Sequence, residues 1–183
     1  HAAPPGSTIA VVTPGSPPES RADVQRGIGW WEAQGYCVKL APGALERDAW
    51  HAGAPEVRAR DLQHAFADPE VDAIQCLRGG YGSAQVVPLL DFDAIAATPK
   101  PFVGFSDITA LHLALRRFAR LASFYGPGLT SLGPAVPALT AARPLPFRLL
   151  PMVGLLVELG GGGAVVVAAR RLCLSGGSVV IGV

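Results

Sequence analysis

Cysteine is scarce in this chain, which has three in 183 residues, namely Cys37, Cys76 and Cys173. Their number is odd, they are widely spaced, and no Cys-x-x-Cys pair or nearby histidine at ligand spacing accompanies them. This pattern excludes a disulfide framework and a cysteine-based zinc site. We therefore expect three small buried residues in a reducing compartment, and no bound metal.

The chain also lacks an excess of positive or negative charge. Fifteen Lys and Arg face fourteen Asp and Glu, without blocks, so the sequence shows no electrostatic signature of a nucleic-acid or anionic-membrane partner. The chain shows no charged and apolar leader after His1, and residues 149–169 contain Glu158 and a glycine run that disfavour a membrane helix. We expect a cytoplasmic protein that binds a small molecule or a peptide.

Half of the residues are hydrophobic, and they fall into short apolar runs that alternate with segments of helical periodicity. Such alternation is typical of an open, mostly parallel α/β sheet with helices on both faces, of the flavodoxin-like type. We predict strands at residues 8–12, 36–40, 71–77, 102–105 and 121–125, with helices after Ser20, from Pro55, over 83–90 and from Asp107. Residues 1–130 would form this domain. Residues 131–183, with their many prolines and a glycine run, would be a linker and the start of an incomplete second domain.

Three irregular loops follow strands at the same predicted sheet edge: Thr13 to Pro18, Arg78 to Gly82, and the turn at Ser106. Ser106 lies where an apolar strand turns into a helix, which is typical of a nucleophile elbow. The amide of Asp107, at a helix N-terminus, could stabilise an oxyanion. The elbow pattern is incomplete, because Ile108 occupies a position that Gly-x-Ser-x-Gly reserves for glycine. The alternative is that Ser106 only caps the helix.

The glycine-rich loop from Arg78 to Gly82 has several interpretations. Amides of Gly79 or Gly80 could complete an oxyanion hole, since glycine allows a close backbone approach. The loop could instead be a tight turn, or hold a phosphate, although it lacks the P-loop lysine. Arg78 could bind a substrate carboxylate as a bidentate donor or form a structural ion pair, and Tyr81 is a second candidate for substrate binding.

A serine nucleophile needs a base, usually a histidine. The sequence offers four histidines: His1, His51, His64 and His112. The position of His112, six residues after Ser106, directs it away from the turn. We interpret all four as surface or packing residues, and Glu158 has no context that would make it catalytic.

The same segments resemble the LD-carboxypeptidase family, serine peptidases that include murein tetrapeptide carboxypeptidases and microcin C self-immunity proteins. The resemblance covers residues 8–130. It depends on residues 9–17, 27–35, 61–68, Arg78-Gly79-Gly80-Tyr81-Gly82, and 100–111 with the run from Gly104 to Leu111. It implies that Ser106 is the nucleophile, that the amides of Asp107 and of Gly79 or Gly80 form the oxyanion hole, and that no cofactor is needed. It also implies a glutamate and a histidine in a C-terminal domain beyond this sequence.

The expected activity is cleavage of the L,D-amide bond before the terminal D-alanine of murein tetrapeptides. One alternative is an immunity-type peptidase that cleaves a peptide–nucleotide conjugate. Others are an inactive peptide-binding fragment without the triad Glu and His, and a flavodoxin-like nucleotide binder. The expected partner is a peptide, and a homodimer stays open.

Overall fold

The computed structural model describes residues 3–133 and the backbone of residues 154–159 and 165–170. Strands alternate with helices up to Tyr125, as the sequence predicts. The strands are β1 (Thr8–Val12), β2 (Cys37–Leu40), β3 (Ala73–Cys76), β4 (Phe102–Gly104) and β5 (Phe124–Tyr125). The helices are α1 (Arg21–Ala33), α2 (Pro55–Ala67), α3 (Ser83–Val86), α4 (Phe92–Ala97) and α5 (Thr109–Phe118).

These five strands form one sheet in the order β2-β1-β3-β4-β5, and every pairing is parallel. Successive residues of β1 point to opposite faces: Ile9 and Val11 join the apolar cluster with α1, whereas Ala10 and Val12 join the cluster with α2 and α5. Both faces are therefore covered by helices, which explains why β1 is a continuous apolar run. The predicted fold class is confirmed.

Two helix starts follow their sequence signals. The Ser20 hydroxyl accepts a hydrogen bond from the Asp23 amide at 3.1 Å, as an N-cap does. The Asp23 carboxylate does not complete a capping box but pairs with Arg26 at 2.7 Å. Pro55 is the first residue of α2, where its missing N–H costs nothing.

Three predictions need correction. The helix predicted over 83–90 is only the short α3, followed by a 3₁₀ turn that contains Pro88. The strand predicted from Leu121 is limited to Phe124–Tyr125, because the Leu121 amide still bonds to the Leu115 carbonyl at the end of α5. Cys37 is exposed on the edge strand β2, whereas Cys76 is buried, and burial raises the pKa of its thiol. Cys173 lies outside the described residues.

The predicted second domain lies mostly outside the described residues and stays a prediction. Its described part is an antiparallel pair of strands, β6 (Gly154–Leu159) and β7 (Val165–Arg170). Among the residues that the structure describes, no helix has the length and apolar character needed to cross a membrane.

Candidate active site

The three predicted loops meet at the carboxyl edge of the sheet, where β1 lies between β2 and β3. This is the topological switch point at which open α/β sheets bind ligands. The loop after β1 is joined to the glycine-rich loop because the Ser16 amide donates to the Gly79 carbonyl at 3.0 Å. In return, the Tyr81 amide donates to the Ser16 hydroxyl at 3.0 Å. The two loops therefore form one surface.

Ser106 follows β4 in a tight turn and is exposed. Its φ of 58° is in the left-handed region, which is uncommon for residues other than glycine, and such strain costs on the order of 1–3 kcal/mol. The extended N-cap position belongs to Phe105 instead. The interpretation of Ser106 as a helix cap is therefore wrong, and the elbow geometry is present.

The incomplete elbow pattern has a structural explanation. An added Cβ at Gly104 would lie 2.6 Å from Cγ2 of Ile108 and 3.1 Å from Sγ of Cys76. The Ile108 side chain therefore occupies the space that the missing side chain of Gly104 leaves. One glycine, Gly104, is therefore enough for this tight turn, because the side chain of Ile108 packs over it.

Asp107 binds the start of α3 through its side chain. Its Oδ2 accepts a hydrogen bond from the Ser83 amide at 2.8 Å, and its carbonyl accepts one from the Ser83 hydroxyl at 2.5 Å. These two bonds hold the turn that follows Ser106 against the turn that follows the glycine-rich loop.

Gly79 packs directly against the elbow. An added Cβ there would lie 2.9 Å from the Phe105 carbonyl oxygen, 3.0 Å from Cβ of Ser106 and 3.4 Å from the Asp107 nitrogen. The φ of Gly80 is 98°, which requires glycine. No acceptor among the described residues pairs with the backbone N–H of Asp107, Gly79 or Gly80. The structure therefore places Gly79 directly against Ser106 and Asp107, and the oxyanion hole stays a prediction.

The two candidate substrate-binding side chains differ in their surroundings. Arg78 donates to Glu19 at 3.0 Å and to the Pro17 carbonyl at 3.4 Å, so the ion pair that the sequence left open is formed. Tyr81 is 66% exposed, and its ring centroid lies 5.7 Å from that of His51. Of the two, Tyr81 presents the more accessible surface to a ligand.

None of the described histidines hydrogen-bonds to Ser106. His64 is exposed on α2, and the His51 ring lies against Gly82 and Tyr81. His112 is buried beneath the elbow, where its Nε2 donates to the Gly104 carbonyl at 3.0 Å and its Nδ1 lies 2.7 Å from the Ser123 hydroxyl. His112 is a packing residue, as expected, and His1 lies outside the described residues.

Burial lowers the pKa of His112 below its ordinary value of 6.5, partly offset by the bond to Gly104. The unfolded chain therefore binds more protons than the native state just below pH 6.5, and the free energy of unfolding should decrease as the pH falls through this range. Urea denaturation between pH 7.5 and 5.5 should show a smaller decrease for His112→Gln than for wild type. Equal slopes for wild type and His112→Gln would contradict the prediction.

Arg58 is a further site residue that the sequence reasoning missed. It is 2% exposed and donates to the carbonyls of Pro14, Gly82 and Gly53 at 2.7, 2.9 and 3.2 Å. A fourth bond, at 2.6 Å, goes to Oε1 of Gln85. Burial lowers the pKa of Arg58, and the negative charge of Asp107 opposes that shift.

The signal for Arg58 was present in the sequence. It lies four and eight residues before Leu62 and Phe66, so an arginine occupies the buried stripe of α2. A charged residue at such a position needs internal acceptors, and the carbonyls of three loops provide them. In the part of the chain that the structure describes, no cluster of three or more His, Cys, Asp or Glu side chains is suited to a metal ion.

An exposed serine in a left-handed turn between a parallel strand and a helix, beside a glycine-rich loop, defines an α/β protein with nucleophile-elbow geometry. The family model described as the LD-carboxypeptidase N-terminal domain matches residues 9–126. The chain therefore belongs to the LD-carboxypeptidase family, which is a family of peptidases and thus of hydrolases.

Known proteins that are similar to this chain support the family assignment. A Streptomyces coelicolor protein is 46% identical over 128 residues, which are 67% of this chain and 41% of that protein. The murein tetrapeptide carboxypeptidase of Pseudomonas aeruginosa is 42% identical over 103 residues, 56% of this chain and 33% of that protein. The microcin C7 self-immunity protein MccF of Escherichia coli is 33% identical over 128 residues, 68% of this chain and 37% of that protein. A solved apo structure of MccF gives a TM-score of 0.72 at 28% identity, over 77% of this chain and 44% of that one. The chain spans about two fifths of the length of the curated relatives that it matches.

Proposed function

We propose that the protein containing this chain is a serine-type LD-carboxypeptidase that cleaves the amide bond before the terminal D-alanine of murein tetrapeptides. The observation that carries the proposal is the exposed Ser106, with its φ of 58°, beside the unpaired amides of Asp107 and Gly79. The named relative from Pseudomonas aeruginosa supports the choice of substrate. A cytoplasmic location is part of the same proposal.

In the proposed reaction, Oγ of Ser106 attacks the scissile carbonyl while a base removes its proton. The carbonyl oxygen becomes an oxyanion that accepts hydrogen bonds from the Asp107 amide and from a glycine amide of Gly79 or Gly80. Collapse of the tetrahedral intermediate breaks the amide bond, and the leaving D-alanine takes the proton. Water then hydrolyses the acyl-enzyme and regenerates Ser106. The family resemblance assigns the base to a C-terminal histidine with a glutamate.

The test is incubation of the full-length protein with purified murein tetrapeptide, followed by mass spectrometry. Release of D-alanine by the wild type and its loss in Ser106→Ala are the expected results. The proposal fails if no D-alanine is released, or if the release survives the substitution.

A second candidate is an immunity-type peptidase that cleaves a peptide–nucleotide conjugate. Its support is the likeness to MccF, whose solved structures include complexes with glutamyl sulfamoyl guanosine and aspartyl sulfamoyl adenosine. Both candidates use the same nucleophile and oxyanion hole. Measuring kcat/KM for the tetrapeptide and for an aminoacyl sulfamoyl nucleoside would decide between them: the larger value identifies the preferred substrate class.

The oxyanion hole can be tested separately with Gly79→Ala. The new methyl group would contact the Phe105 carbonyl and the Ser106 side chain, so the elbow and the glycine-rich loop must separate. Loss of one oxyanion donor costs about 10²- to 10³-fold in kcat, and we expect a decrease in this range. Steady-state kinetics on the tetrapeptide measures it.

The matched control for this substitution is Gly29→Ala in α1, where an added Cβ meets nothing within 4 Å. This variant should keep the wild-type kcat, and its stability should increase slightly because alanine favours the helix. A Gly79→Ala enzyme with wild-type kcat would remove Gly79 from the proposed oxyanion hole.

A further inference from the structure

The backbone N–H of Ser106 has an unusual acceptor. Ser106 begins a 3₁₀ turn that leads into α5, and the first N–H groups of a helical segment have no partner within it. In this structure the Ser106 amide donates to the hydroxyl oxygen of Tyr125 at 3.0 Å. A side chain from another strand therefore holds the backbone of the candidate nucleophile.

The sheet register explains how Tyr125 reaches this amide. β5 pairs with β4 in parallel, and Tyr125 lies opposite Gly104. Ser106 is two residues further along, about 6.5 Å of extended chain, and the ring of Tyr125 spans this distance. Because β5 ends at Tyr125, its side chain is directed to the same sheet edge as the elbow.

Several contacts fix Tyr125 and its opposite residue. The Gly104 carbonyl accepts hydrogen bonds from the Gly126 amide and from Nε2 of His112, both at 3.0 Å. The ring centroid of Tyr125 lies 6.0 Å from that of His112. The backbone on both sides of the Tyr125–Ser106 bond is therefore anchored, although Tyr125 is still 37% exposed.

We propose that Tyr125 is a positioning residue for the nucleophile: its hydroxyl holds the Ser106 amide and keeps Ser106 in the left-handed conformation that presents Oγ to the substrate. This inference rests on the proposed role of Ser106. Without the acceptor, the strained φ of Ser106 is free to relax toward ordinary values, and the serine spends less time in the reactive geometry. The effect acts on the chemical step and leaves substrate binding unchanged.

The test is Tyr125→Phe in the full-length protein, assayed for D-alanine release from murein tetrapeptide. We expect kcat to decrease about tenfold, which corresponds to about 1.4 kcal/mol, with KM unchanged. The rate of acyl-enzyme formation with a fluorophosphonate probe should decrease by a similar factor.

The matched control is Tyr36→Phe. The hydroxyl of Tyr36 also makes a hydrogen bond, to the Ala3 carbonyl at 3.2 Å, but it lies in the apolar cluster with α1. This variant should lose stability and keep the wild-type kcat. If both variants lose stability and neither changes kcat, Tyr125 is only structural and the proposal is overturned.

The proposed function and the positioning role of Tyr125 can be refuted separately. If the wild type is active and Ser106→Ala is not, the proposed function stands, and a wild-type kcat in Tyr125→Phe then refutes the positioning role alone. If Ser106→Ala keeps full activity, the nucleophile is elsewhere and both fail. A Tyr125→Phe enzyme with raised KM and unchanged kcat would contradict the positioning role and indicate that Tyr125 contacts the substrate instead.

Discussion

Replacing Ser106 with alanine is expected to lower kcat for tetrapeptide hydrolysis by about 10⁶-fold, the size of the effect of removing the nucleophile of a serine protease. The chemical reason is that no other group can form the acyl-enzyme at this elbow. The fold should persist, because alanine has the same left-handed strain as serine and Ser106 is exposed. Steady-state kinetics together with thermal denaturation separates the loss of activity from a loss of structure.

A fluorophosphonate probe extends this experiment. The full-length protein should be labelled at Ser106, and the 183-residue chain alone should be labelled far more slowly, because no described histidine hydrogen-bonds to Ser106. Ser20→Ala provides the control, since Ser20 only caps α1. The Ser20→Ala variant should lose about 1 kcal/mol of stability, and its labelling by the probe should equal that of the wild type. Equal labelling of wild type and Ser106→Ala would refute the assignment. Equal labelling of the short and long proteins would indicate a base within this chain.

Arg58→Met is expected to have the largest effect on stability, a decrease of about 3–5 kcal/mol in the free energy of unfolding. Methionine fills a similar volume but donates no hydrogen bond, so the carbonyls of Pro14, Gly82 and Gly53 lose a buried donor. Each buried acceptor without a partner costs about 1–3 kcal/mol, and relaxation of the loops recovers part of the sum. Urea denaturation measures the change.

The matched control is Arg60→Met, two residues along the same helix. The Arg60 side chain is 48% exposed, and it pairs with Asp61 at 2.8 Å. Only the Arg60 side of this pair is exposed, since the Asp61 side chain is 4% exposed. The Gly43 amide still donates to the Asp61 carboxylate after the substitution, so we expect a smaller loss of stability than for Arg58→Met. Similar destabilisation by the two substitutions would show that Arg58 does not hold the loops together.

The activity of Arg58→Met should decrease as well. Arg58 bonds to the loop after β1 and to the end of the glycine-rich loop, and these are the loops that position Gly79 and Gly80. When the loops separate, the proposed oxyanion donors move away from Ser106, so we expect kcat to fall more than KM rises. Assays at low temperature, where the variant is folded, would detect this difference.

Prediction from sequence succeeded where the signal is local. The apolar run of β1 is buried on both faces, and Pro55 starts α2, because these outcomes depend on hydrophobicity and on backbone restrictions that neighbouring residues set. The prediction from sequence was wrong for the segment after α3, where Pro88 lies in a 3₁₀ helix. It did not include α4, which Asp91 caps and which has no strong periodic pattern.

The candidate site was only partly predictable. Ser106, Asp107 and the glycines could be proposed from the sequence because motifs mark them. Arg58 was missed because its importance depends on carbonyls from three loops, and Tyr125 was missed because its hydroxyl acts across two strands. Such contacts join residues that are distant in the sequence, so a local pattern can mark Arg58 as a charge in a buried stripe but cannot identify its acceptors.

The sequence by itself determined that this protein is an α/β domain of the LD-carboxypeptidase family, with a serine at the end of its fourth strand. The reason is that strand and helix periodicity and the elbow motif are written in consecutive residues. Only the tertiary structure decided that Ser106 has a left-handed backbone rather than a cap geometry, since the groups that contact this turn, Gly79 and Tyr125, come from distant segments. Long-range packing also decided that His112 faces the sheet.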